Sequence, residues 1–430
     1  MNENIDQKLL EVSLNEETSP FIKVIGVGGG GNNIVNYMYN KGIPGVDFIL
    51  CNTDIKQLNL SNVPKKIAIG QKITNGMGAG SNPEIGKQAA AESLTEIENA
   101  IKDAKMLFII SCFGGGTGTG ATPVISKKAK DLDILTIAMI IVPFSFEGQQ
   151  RRTCAYEGIR NLKDAVDALI IINNEKINEM HSNLPYKEAF DKANEILHLA
   201  VKGLTDIITI PGIINVDFAD IKTILKNSGN ALIGVGQAKG ENKAIQSIEN
   251  ALNSPLLDNN DISKAKNILL NIKTSPTTLL NEIAAINQYI QNKTNNTSNI
   301  ILGITEDNSE EDSITTILVA TGLNEISDSY AEKKYYLINH NETNKTENIN
   351  PQTQKIKEPK EYKEPKLIDQ PLFEIDDMET IESVPAFNRH QNYKPHVESP
   401  QKNTEQISHT KTNTEIEINE INPYFRKKID

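Results

Sequence analysis

Five glycines fall within seven residues in the run Gly114-Gly115-Gly116-Thr117-Gly118-Thr119-Gly120. An apolar segment, Met106-Leu107-Phe108-Ile109-Ile110, precedes the run, and a helix is expected from about Thr122. The stretch therefore reads as strand, turn and helix. Glycine is disfavoured by roughly 0.5–1 kcal/mol relative to alanine inside regular elements, so this concentration needs a cause. Bare backbone N–H groups in such a turn form a concave nest for an anion, and the following helix adds the positive end of its dipole. Thr117 and Thr119 add hydroxyl donors. The expected ligand of this turn is a phosphate chain.

A second glycine turn lies near the start. A β-branched strand at 21–27 runs into Gly28-Gly29-Gly30-Gly31-Asn32-Asn33, and a helix is expected from Ile34 to Asn40. Gly26, Gly28 and Gly31 satisfy the dinucleotide pattern G-x-G-x-x-G, with Asp47 or Asp54 near its acidic position. A nicotinamide-dependent oxidoreductase needs one such turn, however, and leaves the Gly114–Gly120 run without a purpose. Neither turn ends in the G-K-[ST] of a P-loop, which disfavours an ordinary Walker-type nucleotidase.

The chain has 430 residues, enough for two domains with their own cores. Its hydrophobic fraction of 38% is low for a fully globular chain and points to a disordered portion. A net charge of −12 argues against nonspecific nucleic-acid binding. Cys51, Cys112 and Cys154 show no metal-ligand spacing, and an odd count argues against a disulfide framework, so a reducing cytoplasm is the expected compartment. Cys112 follows a buried-looking strand and reads as core. The histidines are scattered, and no metal ligand set is expected from the protein itself. Residues 1–20 are polar and acidic, unlike a signal peptide. No apolar window reaches the length of a membrane span, so direct membrane insertion is not expected and attachment would come through a partner.

Strand candidates at 21–27, 48–52, 66–69, 106–112, 134–142 and 168–172 are nearly continuous apolar runs, as in a parallel sheet covered by helices on both faces. Pro83 fits the first turn of a helix reaching about Lys102. Pro185 opens a long helix with Tyr186, Phe190, Ala193, Leu197, Ala200 and Leu204 on one stripe, ending around Gly203 to Thr205. A second α/β portion follows, with helices near 242–253 and 279–291 and strands at 267–272, 300–305 and 314–320. From about Asn324 the pattern collapses into a polar segment that buries too little to offset its ordering entropy. The final Tyr424-Phe425-Arg426-Lys427-Lys428 cluster reads as a short linear motif for a partner groove, with Val384-Pro385-Ala386-Phe387-Asn388-Arg389 as a second candidate.

Six motifs occur in order: Gly28 to Asn33, Asn52-Thr53-Asp54, Gly78-Ala79-Gly80-Ser81-Asn82-Pro83-Glu84, Gly114 to Gly120, Pro143-Phe144-Ser145-Phe146-Glu147-Gly148, and Asn215-Val216-Asp217-Phe218-Ala219-Asp220. The series resembles the FtsZ family, the bacterial tubulin-like GTPases of the cell-division ring, over roughly residues 20–325. The resemblance implies an α/β fold of the tubulin type. Its parts are a disordered extension at 1–20, a Rossmann-like GTP-binding domain at 21–184, a central connecting helix at 185–205, a smaller α/β domain at 206–325, a disordered linker at 326–420 and a partner-binding peptide at 421–430. It implies GTP and GDP as ligands, with Mg2+ carried by the nucleotide and K+ as a further cation.

By the same resemblance the phosphates meet Gly28, Gly29, Gly30, Gly31, Asn32, Asn33, Ala79, Gly80 and the run Gly114, Gly115, Gly116, Thr117, Gly118, Thr119, Gly120. Asn52 and Asp54 line the pocket, Glu147 and Arg151 approach ribose and phosphates, and Asn174, Asn194 and the stacked Phe190 read guanine. Read alone, Glu147 and Arg151 are a surface ion pair, and Asp217 and Asp220 are acids at a helix start. The resemblance instead places Asn215, Asp217 and Asp220 in the pocket of the next subunit, which makes the catalytic site composite. It also implies a head-to-tail homopolymer at a mid-cell ring, tethered to the membrane by an FtsA-like adaptor. Ile141, Val142, Gln149, Gln150, Asn173 and Glu175 depart from the family's habits around the pocket, and a weakened ribose or phosphate contact is expected there. A plasmid-segregating tubulin relative is the competing filament reading.

Overall fold

The computed structural model describes residues 21–180, 183–254, 262–306 and 312–323. Strand β1 (Ile22–Val27) passes directly into helix α1 (Gly28–Lys41), followed by β2 (Val46–Asn52), α2 (Ile55–Asn59), β3 (Lys65–Ala68), α3 (Gln71–Thr74), α4 (Pro83–Glu92) and α5 (Leu94–Ile101). Then come β4 (Met106–Cys112), α6 (Gly116–Asp131), β5 (Leu135–Val142), α7 (Gln149–Leu162), β6 (Ala168–Asn173) and α8 (Asn174–Met180). The long α9 (Tyr186–Thr209) and α10 (Phe218–Leu225) lead to β7 (Gly229–Asn230), β8 (Leu232–Lys239), α11 (Lys243–Leu252), β9 (Asn267–Thr274), α12 (Leu280–Lys293), β10 (Asn299–Glu306) and β11 (Ser313–Thr321).

Seven strands form one sheet in the order β3-β2-β1-β4-β5-β6-β7, and every pairing is parallel. The continuous apolar runs have the cause the sequence suggests, because alternate side chains enter different cores. Ile22 and Val24 of β1, with Met106, Phe108 and Ile110 of β4, join the core on the α1 and α9 face. Ile25 and Val27, with Leu107 and Ile109, join the core under α4, α5 and α6. The second sheet has the order β10-β9-β11-β8 and is mixed. Leu197, Ala200, Val201, Leu204 and Ile207 of α9 are buried in the same core as Ile233, Leu269 and Val319 of that sheet, so α9 runs between the two sheets as a shared spine.

Several element bounds differ from the sequence expectation, each for a reason of packing. Helix α6 starts at Gly116 and α1 at Gly28, so most of the glycines lie inside helices. They are small because neighbours are close: a Cβ on Gly120 would lie 1.8 Å from the Pro83 carbonyl oxygen, and one on Gly31 would lie 2.3 Å from that of Ile110. The helix expected from Pro83 to Lys102 is broken at Ser93, whose hydroxyl accepts the Gly70 N–H at 3.1 Å. The spine does not stop at Gly203. A Cβ there would meet the Ile317 side chain at 2.6 Å, so this glycine serves packing against β11 while the helix continues to Thr209.

Candidate functional site

The chain leaves β1 for β2 and β3 on one side and then returns to place β4 on the other side of β1. Connections depart in opposite directions at that point, which opens a crevice beyond the carboxyl ends of the two strands. Both glycine turns flank this crevice, Gly28 at the end of β1 and Gly114 just after β4. The turns touch. A Cβ on Gly28 would lie 2.8 Å from the Gly118 nitrogen. Ser111 Oγ donates to the Val27 carbonyl at 3.1 Å, and the hydroxyls of Thr53 and Thr117 are 2.7 Å apart.

The neighbouring strand end braces the first turn. Asn52 donates to Gln57 Oε1 at 2.8 Å and accepts the Thr53 N–H at 2.9 Å. Gln57 in turn lies against Gly29. Asp54 caps α2 by accepting the Gln57 N–H at 3.1 Å. The buried Asn32 amide, oriented with its nitrogen toward the turn, reaches the Gly26 carbonyl at 2.8 Å and that of Gly28 at 3.3 Å. Asn33 is exposed. A third loop closes against the start of α6. Gly78 donates to Thr53 O at 3.3 Å, while Ala79 and Asn82 sit where a Cβ on Gly116 would be. Gly80 is exposed, with a φ of 56°.

The structure separates the glycines by cause. Gly116, Gly118 and Gly120 have no room for a side chain, and Gly114 takes a φ of 96° with the Arg151 carbonyl close by. Gly115 is different. Its backbone is extended, a conformation any residue adopts, and nothing lies within 4 Å of its missing Cβ. It caps the amino end of a 16-residue helix, where unpaired N–H groups and the helix dipole favour an anion. The space beside Gly115 is open. Thr117 and Thr119 are buried and bonded within the protein, Thr119 accepting the Gly114 N–H at 2.9 Å, so their hydroxyls brace the turn.

The same edge continues past β5 and β6. Glu147 accepts the Phe144 N–H at 3.0 Å and the Arg151 Nη1 at 2.8 Å. It approaches Cys112, whose thiol is pushed up to about 12 chiefly by burial and further by the Glu147 charge. Cys112 is half-buried and packs against the core on the α1 face. Glu175 takes the Ser145 N–H, and Asn173 Oδ1 accepts the Glu175 N–H at 3.1 Å. Phe144 stacks on the exposed Phe146 with centroids 4.8 Å apart and meets Phe190 edge-on at 5.6 Å. Asn174 opens α8 and is buried, and Asn194 lies half-buried one turn beyond Phe190 on α9. Thr53, Gln57, Ser111 and Phe144 were not singled out from the sequence as site residues. Thr53 and Phe144 lie inside quoted motifs, whereas Gln57 and Ser111 carry no local signal.

Asn215, Asp217 and Asp220 lie elsewhere. Helix α10 is fixed to the opposite, amino edge of the sheet. Phe218 meets Phe21, just before β1, with ring centroids 4.7 Å apart. Lys222 and Lys226 reach Asp133, just before β5, at 3.0 and 2.8 Å. Asn227 donates to Asp167, just before β6, at 3.3 Å. Asp217 caps α10, accepting the Asp220 N–H at 2.8 Å, and Asn215 accepts the Gly212 N–H at 2.6 Å. A six-residue strand such as β1 separates the two edges by about 20 Å, so these carboxylates do not share a pocket with the glycine turns of their own chain. Tyr424, Phe425, Arg426, Lys427 and Lys428 lie outside the described residues. Among the described residues no group of histidine, cysteine and carboxylate side chains could hold a metal ion, and no helix is long and apolar enough to cross a membrane.

Comparison with known proteins agrees with this architecture. The model of the Tubulin/FtsZ family GTPase domain matches residues 21–182, and that of the FtsZ family C-terminal domain matches residues 229–324. The cell division protein FtsZ of Aquifex aeolicus (strain VF5) is 43% identical over 314 residues, which is 73% of this chain and 86% of the relative. The solved structure of an empty FtsZ dimer from M. jannaschii aligns with a TM-score of 0.67 at 42% identity, covering 74% of this chain and 92% of that one. CetZ2 from Haloferax volcanii shares the fold, with a TM-score of 0.62 at 22% identity over 75% of this chain and 99% of its own. With a guanine-nucleotide domain, a spine and a second domain matched in order along most of a division protein's length, the chain belongs to the FtsZ family of tubulin-like GTPases.

Proposed function

We propose that this GTPase polymerises head to tail and hydrolyses GTP at the contact between subunits. The observation that carries the reading is the split of the candidate site between opposite edges of one parallel sheet. A second copy stacked along the strand direction would set Asn215, Asp217 and Asp220 over the first copy's glycine turns. Such a contact joins two different surfaces and does not close on itself, so it generates a filament. The M. jannaschii relative, 42% identical, was solved as an FtsZ dimer, which supports self-association here.

In this reading the amides of Gly28 to Gly31 and Gly115 to Gly118, with Ala79 and Gly80, hold the phosphates, and Asn32, Asn52, Asp54, Gly114, Thr117 and Thr119 fix the turns that present them. Glu147 and Arg151 border the ribose and phosphates. Phe190 stacks on the base, whose edge Asn174 and Asn194 read by donating and accepting together. Asp217 and Asp220 of the neighbour orient and deprotonate the attacking water. Carboxylates brought to a triphosphate repel it, so Mg2+ on the nucleotide, with K+ as a further cation, would offset that charge. Loss of the γ-phosphate at the contact then weakens the contact.

The chain would divide into the GTP-binding domain at 21–184, the connecting helix at 185–205 and the second domain at 206–325, with 1–20, 326–420 and 421–430 as extension, linker and peptide. It would act in the cytoplasm as a mid-cell ring. Tyr424 to Lys428 would anchor filaments to a membrane-linked, FtsA-like adaptor. Capture of such an adaptor by a peptide of residues 415–430 supports that anchor, and capture only by residues 380–392 moves it to Phe387. Phosphate release per subunit should rise with protein concentration and level off once sedimentable polymer forms. A rate per subunit that is flat across the assembly threshold would refute the composite site.

A further inference from the structure

We propose that Asp133 is a positioning residue that ties the phosphate-binding helix to the helix bearing Asp217 and Asp220. Helix α6 begins at the Gly115 cap and runs 16 residues, about 24 Å, to the amino edge of the sheet. There it ends in a Schellman turn. Asp133 donates its N–H to Lys130 O at 3.0 Å, and Ile134 donates to Ala129 O at 3.1 Å. Asp133 occupies the left-handed position of this turn, with a φ of 54°. Glycine is the usual residue there, because it has no Cβ to strain that backbone, and Asn and Asp are the side chains that adopt it most readily. The negative end of the α6 dipole also lies at this position, and it favours a cation. Asp133 therefore gives up the glycine this turn favours and puts a negative charge at the negative end of the helix.

A gain elsewhere offsets this. One carboxylate oxygen of Asp133 accepts Lys226 Nζ at 2.8 Å and the other accepts Lys222 Nζ at 3.0 Å. The two lysines hold its carboxyl well below the usual carboxylate range. Both belong to α10 and the residue that ends it, whose amino end presents Asp217 and Asp220. Asp167 secures the carboxyl end of α10 from the next loop, accepting the Asn227 N–H. One rigid helix thus touches the phosphate site at one end and grips the activating helix at the other. The proposal rests on the reading that Asp217 and Asp220 complete a neighbour's pocket.

The variant Asp133→Gly separates a positioning role from a structural one, because it suits the Schellman turn better than the parent residue. It should melt no earlier than the parent and bind GTP with the same affinity. Its phosphate release per sedimented subunit should nevertheless fall about two- to five-fold, the scale that exposed ion pairs supply. The double variant Lys222→Gln, Lys226→Gln should give the same fall, and combining it with Asp133→Gly should add nothing further. Asp220→Ala is assayed beside them. If Asp220→Ala loses hydrolysis while Asp133→Gly turns over like the parent, or if the effects of Asp133→Gly and the lysine pair simply multiply, the clamp is refuted and the composite site stands. If Asp220→Ala hydrolyses GTP normally, both readings fall.

Discussion

Gly115 and Gly120 belong to one motif and lack side chains for different reasons. At Gly120 a Cβ would collide with the Pro83 backbone, and at Gly115 it would meet empty space. Gly120→Ser should therefore abolish or sharply lower folding stability, read as a lost or shifted thermal transition. Gly115→Ser should melt like the parent but bind GTP at least about ten-fold more weakly, a difference near 1.4 kcal/mol. Equal GTP affinity for Gly115→Ser and the parent in a calorimetric titration would exclude phosphate contact at this turn. The sequence shows that the run is special without showing which glycine serves which purpose. That distinction depends on Pro83 and Asn82, brought onto α6 only by the tertiary fold.

Among the elements, the buried strands were the most legible, since an apolar run covered on both faces leaves a local mark. The helix starts were less so. Intrinsic propensity argues against glycine in a helix, yet α1 and α6 start at Gly28 and Gly116 because close packing overrides it. Strand β8 was missed because Gly234 and Gly236 interrupt its pattern, and Gly236 is small because the Ser247 carbonyl of α11 would lie 2.1 Å from a Cβ. Of helix α10 the sequence marks only the start, where Asp217 and Asp220 read as acids at a helix N-terminus. Its cap now separates its two aspartates by role. Asp217→Ala removes the side chain that accepts the Asp220 N–H and should cost about 1 kcal/mol of stability. Asp220→Ala leaves that cap in place and should melt near the parent. Both variants should keep GTP bound and lose an order of magnitude or more of phosphate release. A variant that differs from the parent only in melting would be a structural cap and nothing more.

At the scale of the whole molecule, the order of six motifs identified the family, but no local pattern tells that two of them face opposite ways. Chain position gives no sense of direction; the strand order and the contacts of α10 supply it. In the proposed reading, amides at one edge and carboxylates at the other form a complete pocket only between copies. Mixing Asp220→Ala with Gly115→Ser tests this most directly. Each variant alone should release little phosphate, the first for want of the neighbour's carboxylate and the second for want of bound GTP. Their mixture should hydrolyse GTP well above the sum of the two, because the aspartates of the Gly115→Ser chain meet a loaded pocket on the Asp220→Ala chain. A mixture no faster than its separate components, under conditions where the two chains co-sediment, would contradict a site shared between subunits.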